Sequence, residues 1–334
     1  MKNPTTVWET EMLKFMKRAT VVLAVLGAAN AMAADDYPNR PIKMWIANAP
    51  GGGTDITGRI IADKLSRILG QPVVVENHAG AGGVIGVGMA AKAPADGYNV
   101  LYDSASFTVN PAIRKLTYDP VKDFIPLSLS VSQPNVLVVA ANSPYKTLKD
   151  YIQAAKNHPG TLTFGSAGVG TGQHMTGEYF RKVAHVNIMH VPYKAGAAVY
   201  VDIMGGQITS YFGNLGSAMG FISGGKVRPL VVTSAQRNPR LPDVPTMEEE
   251  GFPGFVITEW AGAYVPVGTP PAIVKRLSTA FQDAVKDPQV KAALEKAGVD
   301  VIGSSQADFQ KFLTPEFARW AQLAKDNNIR AATQ

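Results

Sequence analysis

Pro50-Gly51-Gly52-Gly53-Thr54-Asp55-Ile56-Thr57 follows a short apolar run, Ile42–Ile46, and leads into a helical pattern over residues 54–69. Three consecutive glycines strip side chains from the turn, so backbone N–H groups can approach a ligand closely. The helix behind them adds unsatisfied N–H groups and the positive end of its dipole. Strand, glycine turn and helix N-terminus together form a seat for an anion. Within 54–69, Ile56, Ile60, Leu65, Ile68 and Leu69 recur at spacings that make one buried stripe. Gly70, with Pro72 beyond it, stops that helix.

The same rhythm continues outward from this unit. Short β-branched runs at Lys43–Ala47, Val73–Glu76, Val100–Tyr102, Asn135–Ala141, Leu162–Gly165, Ile188–Val191, Ile208–Phe212 and Leu230–Thr233 alternate with helical patterns, which predicts an α/β fold. From Pro270 onward the pattern is helical (Pro270–Val285, Pro288–Ala297, Ala307–Asn327) with no strand expected between the helices. No internal repeat, low-complexity tract or long flexible linker interrupts the chain. Its length favours two domains over one, joined by close crossings near Val139–Pro144 and Gly262–Pro270.

Lys14, Lys17 and Arg18 precede an apolar stretch that ends in Ala31-Met32-Ala33, so residues 1–33 read as a cleaved export signal. Residues before Met12 add nothing to that pattern. No later segment reads as transmembrane. There is no cysteine, which excludes a disulfide framework, a thiolate metal site and a cysteine nucleophile. The formal net charge is +6; four bases against two acids in residues 1–33 leave +4 for the remainder. Those charges are interspersed with acids and form no basic stripe, so nucleic acid is not an expected partner.

Two further glycine turns stand between a strand and a helix. One is residues 78–86, His-Ala-Gly-Ala-Gly-Gly-Val-Ile-Gly; the other is 165–174, Gly-Ser-Ala-Gly-Val-Gly-Thr-Gly-Gln-His. Open parallel sheets gather ligands beyond the carboxyl ends of their strands, so three such turns predict a cleft shared by two domains. A phosphate ligand lacks its usual supports: there is no Walker A loop, since Gly225-Lys226 continues with Val227. Gly86-Val87-Gly88-Met89-Ala90-Ala91 resembles a dinucleotide fingerprint only inside a helix, where it reads as packing. No Gly-x-Ser-x-Gly elbow or His-Glu-x-x-His pair is present, and the five histidines show no metal-ligand spacing. His174 sits just inside the helix after the third turn, where it can orient the loop, touch a ligand or act as a base. No complete catalytic constellation accompanies it.

The ordered series of motifs is similar to a known family. Tyr37-Pro38-Asn39-Arg40-Pro41-Ile42, Pro50-Gly51-Gly52-Gly53-Thr54-Asp55 and Leu69-Gly70-Gln71-Pro72-Val73-Val74-Val75-Glu76-Asn77 are followed by Gly80-Ala81-Gly82-Gly83, Asp96-Gly97-Tyr98 and Tyr118-Asp119-Pro120. Gly165-Ser166-Ala167-Gly168, Gln173-His174, His190-Val191-Pro192-Tyr193-Lys194, Leu241-Pro242-Asp243-Val244-Pro245-Thr246 and Gly268-Thr269-Pro270-Pro271 complete it. Over residues 37–330 the chain resembles the extracytoplasmic solute-binding receptors of tripartite tricarboxylate transporters, the Bug-type family. The resemblance implies two α/β domains hinged by two crossing strands and closing on a ligand, a periplasmic-binding-protein clamshell. The domains would be 34–139 plus 262–334, and 140–261.

The resemblance further implies a carboxylate ligand held by backbone N–H groups and hydroxyls, without a cofactor or a metal. Carried onto this chain, the first turn contributes Gly52, Gly53, Thr54 and Asp55, and the third Ser166, Ala167, Gly170, Thr171 and His174. Ser104 and Ser106 are candidates for the cleft wall. Three positions depart from the family: Asn48 replaces an aromatic residue, Gly213-Asn214 stands where Asp-Asn is usual, and Ala261 follows Trp260 in place of an aromatic. Smaller or more polar groups at Asn48, Gly213-Asn214 and Ala261 predict a pocket roomy enough for a bulkier acid, including an aromatic one. The expected role is a monomeric periplasmic receptor that passes its carboxylate to the membrane subunits of such a transporter, or informs a sensor kinase. The competing expectation is a periplasmic enzyme acting on a carboxylate with His174 as base.

Overall fold

The computed structural model describes residues 36–331. The export signal read in residues 1–33 lies outside them. Among the described residues, no helix is long and apolar enough to cross a membrane.

β1 (Ile42–Ile46) buries Ile42, Met44 and Ile46 and turns Lys43 outward, the alternation of a pleated strand. The glycine turn follows, and α1 (Gly53–Leu69) packs Ile61, Leu65 and Leu69 beneath the sheet. Gly70 ends α1 at φ +70° and donates its N–H to Ser66 O, as the sequence predicts. β2 (Val73–Asn77) and β3 (Asn99–Ser104) lie parallel to β1 on either side. Between them comes α2 (Val84–Ala90), where Gly86 lies close against Ala47 and the His78 carbonyl. That fits a packing role for the Gly86-Val87-Gly88 stretch. α3 (Ser106–Ile113) then leads toward β4 (Phe124–Ala140).

β4 is much longer than the Asn135–Ala141 run that its β-branched residues mark. Its first part pairs antiparallel with β9 (Thr258–Pro266), as far as Pro134 opposite Thr258. Its last part, from Asn135, pairs instead with β7 (Ser210–Asn214) and β8 (Val227–Val232). The exchange of partners falls at Pro134, which has no N–H to offer a ladder. The second half repeats the plan of the first. β5 (Thr163–Ser166) lies parallel to β6 (Met189–Pro192) and to β7, with α4 (Leu148–Asn157), α5 (Gly172–Val183), α6 (Gly196–Met204) and α7 (Leu215–Ser223) completing it. The strand order β2-β1-β3-β9-β4-β7-β5-β6 thus joins two parallel blocks through two long antiparallel strands.

The helical tail contains α8 (Pro271–Lys286), α9 (Pro288–Lys296) and α10 (Gln306–Asp326). The expectation of no strand in this region is corrected by β10, Asp300–Val301, which pairs antiparallel with Ser132 and Val131 of β4. Two residues are too few for a sequence pattern, and the edge of β4 recruits them. α10 spans both halves: Phe309 and Leu313 pack among aromatic residues of the first, while Trp320 and Ala324 belong to the core of the second. Glu316, between them, accepts hydrogen bonds from the indoles of Trp260 and Trp320, both at 3.2 Å.

Candidate functional site

The first turn is held from below. The Asp55 carboxylate accepts from Gly51 N at 2.9 Å, Arg59 Nε at 2.9 Å and Asn77 Nδ2 at 2.9 Å. Burial raises its pKa, but those bonds outweigh it and leave the carboxyl below its ordinary value. Asp55 is therefore spent on shaping the turn. Gly52 precedes α1 without a side-chain cap, which leaves the opening N–H groups of the helix to the cleft.

The second and third turns meet each other across the cleft. Arg114 Nη2 donates to Val169 O at 2.8 Å, and its Nη1 donates to Ala81 O at 3.2 Å. Asn110 Nδ2 donates to Gly82 O at 2.8 Å. Gly82 has φ +65° and lies so close to the Val169 carbonyl that a Cβ there would collide with it. On the far side, a Cβ on Gly53 would come within 2.9 Å of Asn214 Nδ2, and Asn214 Oδ1 accepts from Gln173 Nε2. Between these contacts lies a cavity of 980 Å3.

Of the predicted residues, Asn48, Gly52, Gly53, Thr54, Ser104, Ala167, Thr171 and Asn214 line this cavity. Asp55, Ser106, Ser166, Gly170 and His174 stand behind the lining. Ser106 donates to Asp103 Oδ1 at 3.0 Å, and Ser166 Oγ holds the N–H of Gly168 at 3.1 Å and His190 Nε2 at 2.7 Å. Of the three departures, Asn48 reaches the cavity; Gly213 is buried against Tyr200 and Tyr211 beside the lining residue Asn214, and Ala261 is buried in the first half's core. Sequence reasoning missed an aromatic wall made by Tyr193, Tyr200, Tyr211 and Phe221. Tyr200 stacks on Phe221 with ring centroids 4.4 Å apart. Only Tyr193 carried a signal, as part of the His190–Lys194 motif.

Glu259 was missed as well. It sits on β9 opposite Gln133, lines the cavity, and is 2% exposed. Its Oε1 has no hydrogen-bond partner and rests against the Cα of Gly172, the first residue of α5, so that any Cβ there would overlap it. Burial pushes its pKa up to about 7; the Asn135 side chain and Arg319 pull down, while Glu316 and Asp103 push the same way as burial. Asp103, wholly buried on β3, is also pushed up to about 7 by burial, against hydrogen bonds from Ser104 and Ser106.

His174 is pushed down to about 3 by burial first, then by His190, Arg114 and Arg181. A ring so reluctant to take a proton is a poor general base at neutral pH. His174, Glu178 and His190 bring three ligand atoms within 4.8 Å of one another, a geometry that invites a cation. Their groups already have partners: both Glu178 oxygens accept from Arg181 at 2.9 Å, and His190 Nε2 faces Ser166. The Arg181 guanidinium beside them also opposes a second positive charge.

Two α/β halves closing on a cavity framed by glycine turns define a clamshell solute-binding receptor rather than an enzyme. Residues 57–329 match the Tripartite tricarboxylate transporter family receptor, and the chain belongs to that family. It is similar to BugT of Bordetella pertussis, 33% identical over 313 residues that cover 93% of this chain and 96% of BugT. The fold superposes on Rpa4515 of R. palustris with adipate (TM-score 0.85, 33% identity, 88% of this chain and 99% of that one). It also superposes on MatC from Rhodopseudomonas palustris with bound malate (TM-score 0.81, 28% identity, 86% and 99%).

Proposed function

We propose that this protein is a periplasmic receptor that closes on an organic carboxylate and presents it to the membrane subunits of a tripartite tricarboxylate-type transporter. The observation that carries the reading is the convergence of three glycine turns, two of them opening helices from opposite halves, on one cavity. A carboxylate fits such a seat because backbone N–H groups and a helix dipole stabilise negative charge without a fixed cation. Adipate and malate in two related receptors support the ligand class. The volume of 980 Å3 and the aromatic wall leave room for a larger, partly apolar acid. The hinge is proposed to divide the chain into 34–139 with 262–334, and 140–261, bounds within about five residues of the change of partner at Pro134 and Thr258 in β4 and β9.

Thermal shift against a panel of aliphatic and aromatic carboxylates tests the reading. Ligand at about 100-fold over its Kd stabilises the native state by ~2.7 kcal/mol, a readily visible shift. Gly53→Val should abolish that shift, because the new side chain fills the approach to Asn214 and blocks the backbone seat. A panel without any stabilising carboxylate overturns the proposal.

A further inference from the structure

The cavity contains one group that a plain dicarboxylate does not explain. Glu259 is a carboxyl on the wall of a cleft read as an anion site, and its Oε1 is left without a partner. A buried carboxyl on a binding wall, with no cation among the described residues bonded to it, leaves its charge to be compensated by the ligand. Among the described residues, no lysine or arginine pairs with it; the nearby Arg319 is committed to Glu316 Oε1 at 3.1 Å. Gly172, whose missing side chain makes room for the carboxyl, opens α5. The helix end in the second half therefore already faces an acid of the chain itself. A second carboxylate brought there by a ligand would meet like charge in a poorly solvated place. The opening of α1 has no such competitor, because Asp55 is turned away into its bonds with Arg59 and Asn77.

We propose that Glu259 is a cation-accepting subsite, so that the ligand carries a carboxylate for the turn at Gly52–Thr54 and a protonated amine for Glu259. This rests on the carboxylate-receptor reading and narrows its ligand to zwitterions in which the two charges are separated by a carbon chain. Tyr193 and Phe221, the half-buried members of the aromatic wall, offer apolar surface to that chain. Selectivity comes from both ends: the amine compensates the charge of the Glu259 carboxyl, and a diacid leaves two carboxyls confronting one another. With its pKa near 7 in the ligand-free protein, Glu259 is partly protonated at neutral pH, and an ammonium beside it would drive that proton off.

The test compares ligands of matched carbon chain by calorimetry: ε-aminocaproate against adipate, and γ-aminobutyrate against succinate. In at least one pair the amino acid should bind more tightly by about tenfold or more and release protons at neutral pH. Glu259→Gln should weaken that amino acid by a similar factor and leave the diacid as tight or tighter. Tighter binding of the diacid in both pairs overturns the amine subsite while the carboxylate reading stands. Equal weakening of both ligands by the substitution also overturns it. If no amino acid and no diacid binds, the amine subsite falls; if the wider carboxylate panel also fails, so does the reading beneath it. The wild-type comparison stands by itself should the variant fold poorly.

Discussion

Glu259→Gln should make the ligand-free protein more stable in mild alkali while changing little in mild acid. The carboxyl has an ordinary pKa of 4.5 and is pushed up to about 7 in the fold, chiefly by burial. Between those values the native state holds a proton that the unfolded chain has released. Stability contributed by the protonated group is therefore full below the unfolded value and falls as pH rises toward the folded one. The slope is about 1.4 kcal/mol per pH unit, so about 3 kcal/mol is lost by the time pH passes 7. Glutamine has nearly the same shape and cannot ionise, so it escapes this loss. Urea denaturation of both proteins at pH ~4.5 and pH ~8 measures the effect, with a difference near zero at the first and about 3 kcal/mol in favour of the variant at the second. Asp103, also pushed up to about 7, is present in both proteins and largely cancels from the difference. A variant offset that is the same at both pH values would refute the reasoning, since Glu259 would then not change its protonation on folding.

Two further outcomes follow from the cleft. Gly82→Val places a side chain against the Val169 carbonyl and strains a residue at φ +65°, so the two turns cannot approach. Ligand affinity should fall by about tenfold or more with the fold intact, and scattering should show no compaction on adding ligand; unchanged affinity would mean that the turns need not meet. Thr171→Ala removes the hydroxyl that accepts from His174 N at 3.4 Å and donates to Gly168 O at 2.8 Å. The loss of this helix cap should cost about 1 kcal/mol in chemical denaturation.

The parts of the fold that were legible in the sequence are those specified by local rules. The turn at Pro50–Thr57, the stop at Gly70 and most of the parallel strands carry their own patterns, because each is framed by glycine or proline and buries one regular face. β9 carries no such pattern: Thr-Glu-Trp-Ala-Gly-Ala-Tyr-Val-Pro is buried on both faces, so nothing alternates. The first part of β4 does alternate, yet Ser128 and Ser130, on what would be its polar face, are fully buried. Both strands lie in the middle of the sheet, where each face is covered. Among the site residues, the glycines and Thr54 were legible for the same local reason. Ser106, Ser166 and His174 sit beside the right turns but point into hydrogen bonds beneath them, a difference of side-chain direction that sequence spacing does not encode.

The amino-acid sequence by itself determined the anion seat of Gly52–Thr54, the α/β alternation and the family, because backbone exposure at a glycine turn before a helix is set by neighbours within a few residues. Tertiary structure alone decided what stands opposite that seat. Glu259 lies some two hundred residues along the chain from Pro50–Thr57, and it reaches the same cavity only because β9 runs beside β4. Gly172 makes room for its carboxyl, and its pKa is raised first by burial and then by Glu316 and Asp103, groups brought from separate segments. Charge at such a place depends on what surrounds it after folding, and that is where this receptor's preference among carboxylates is decided.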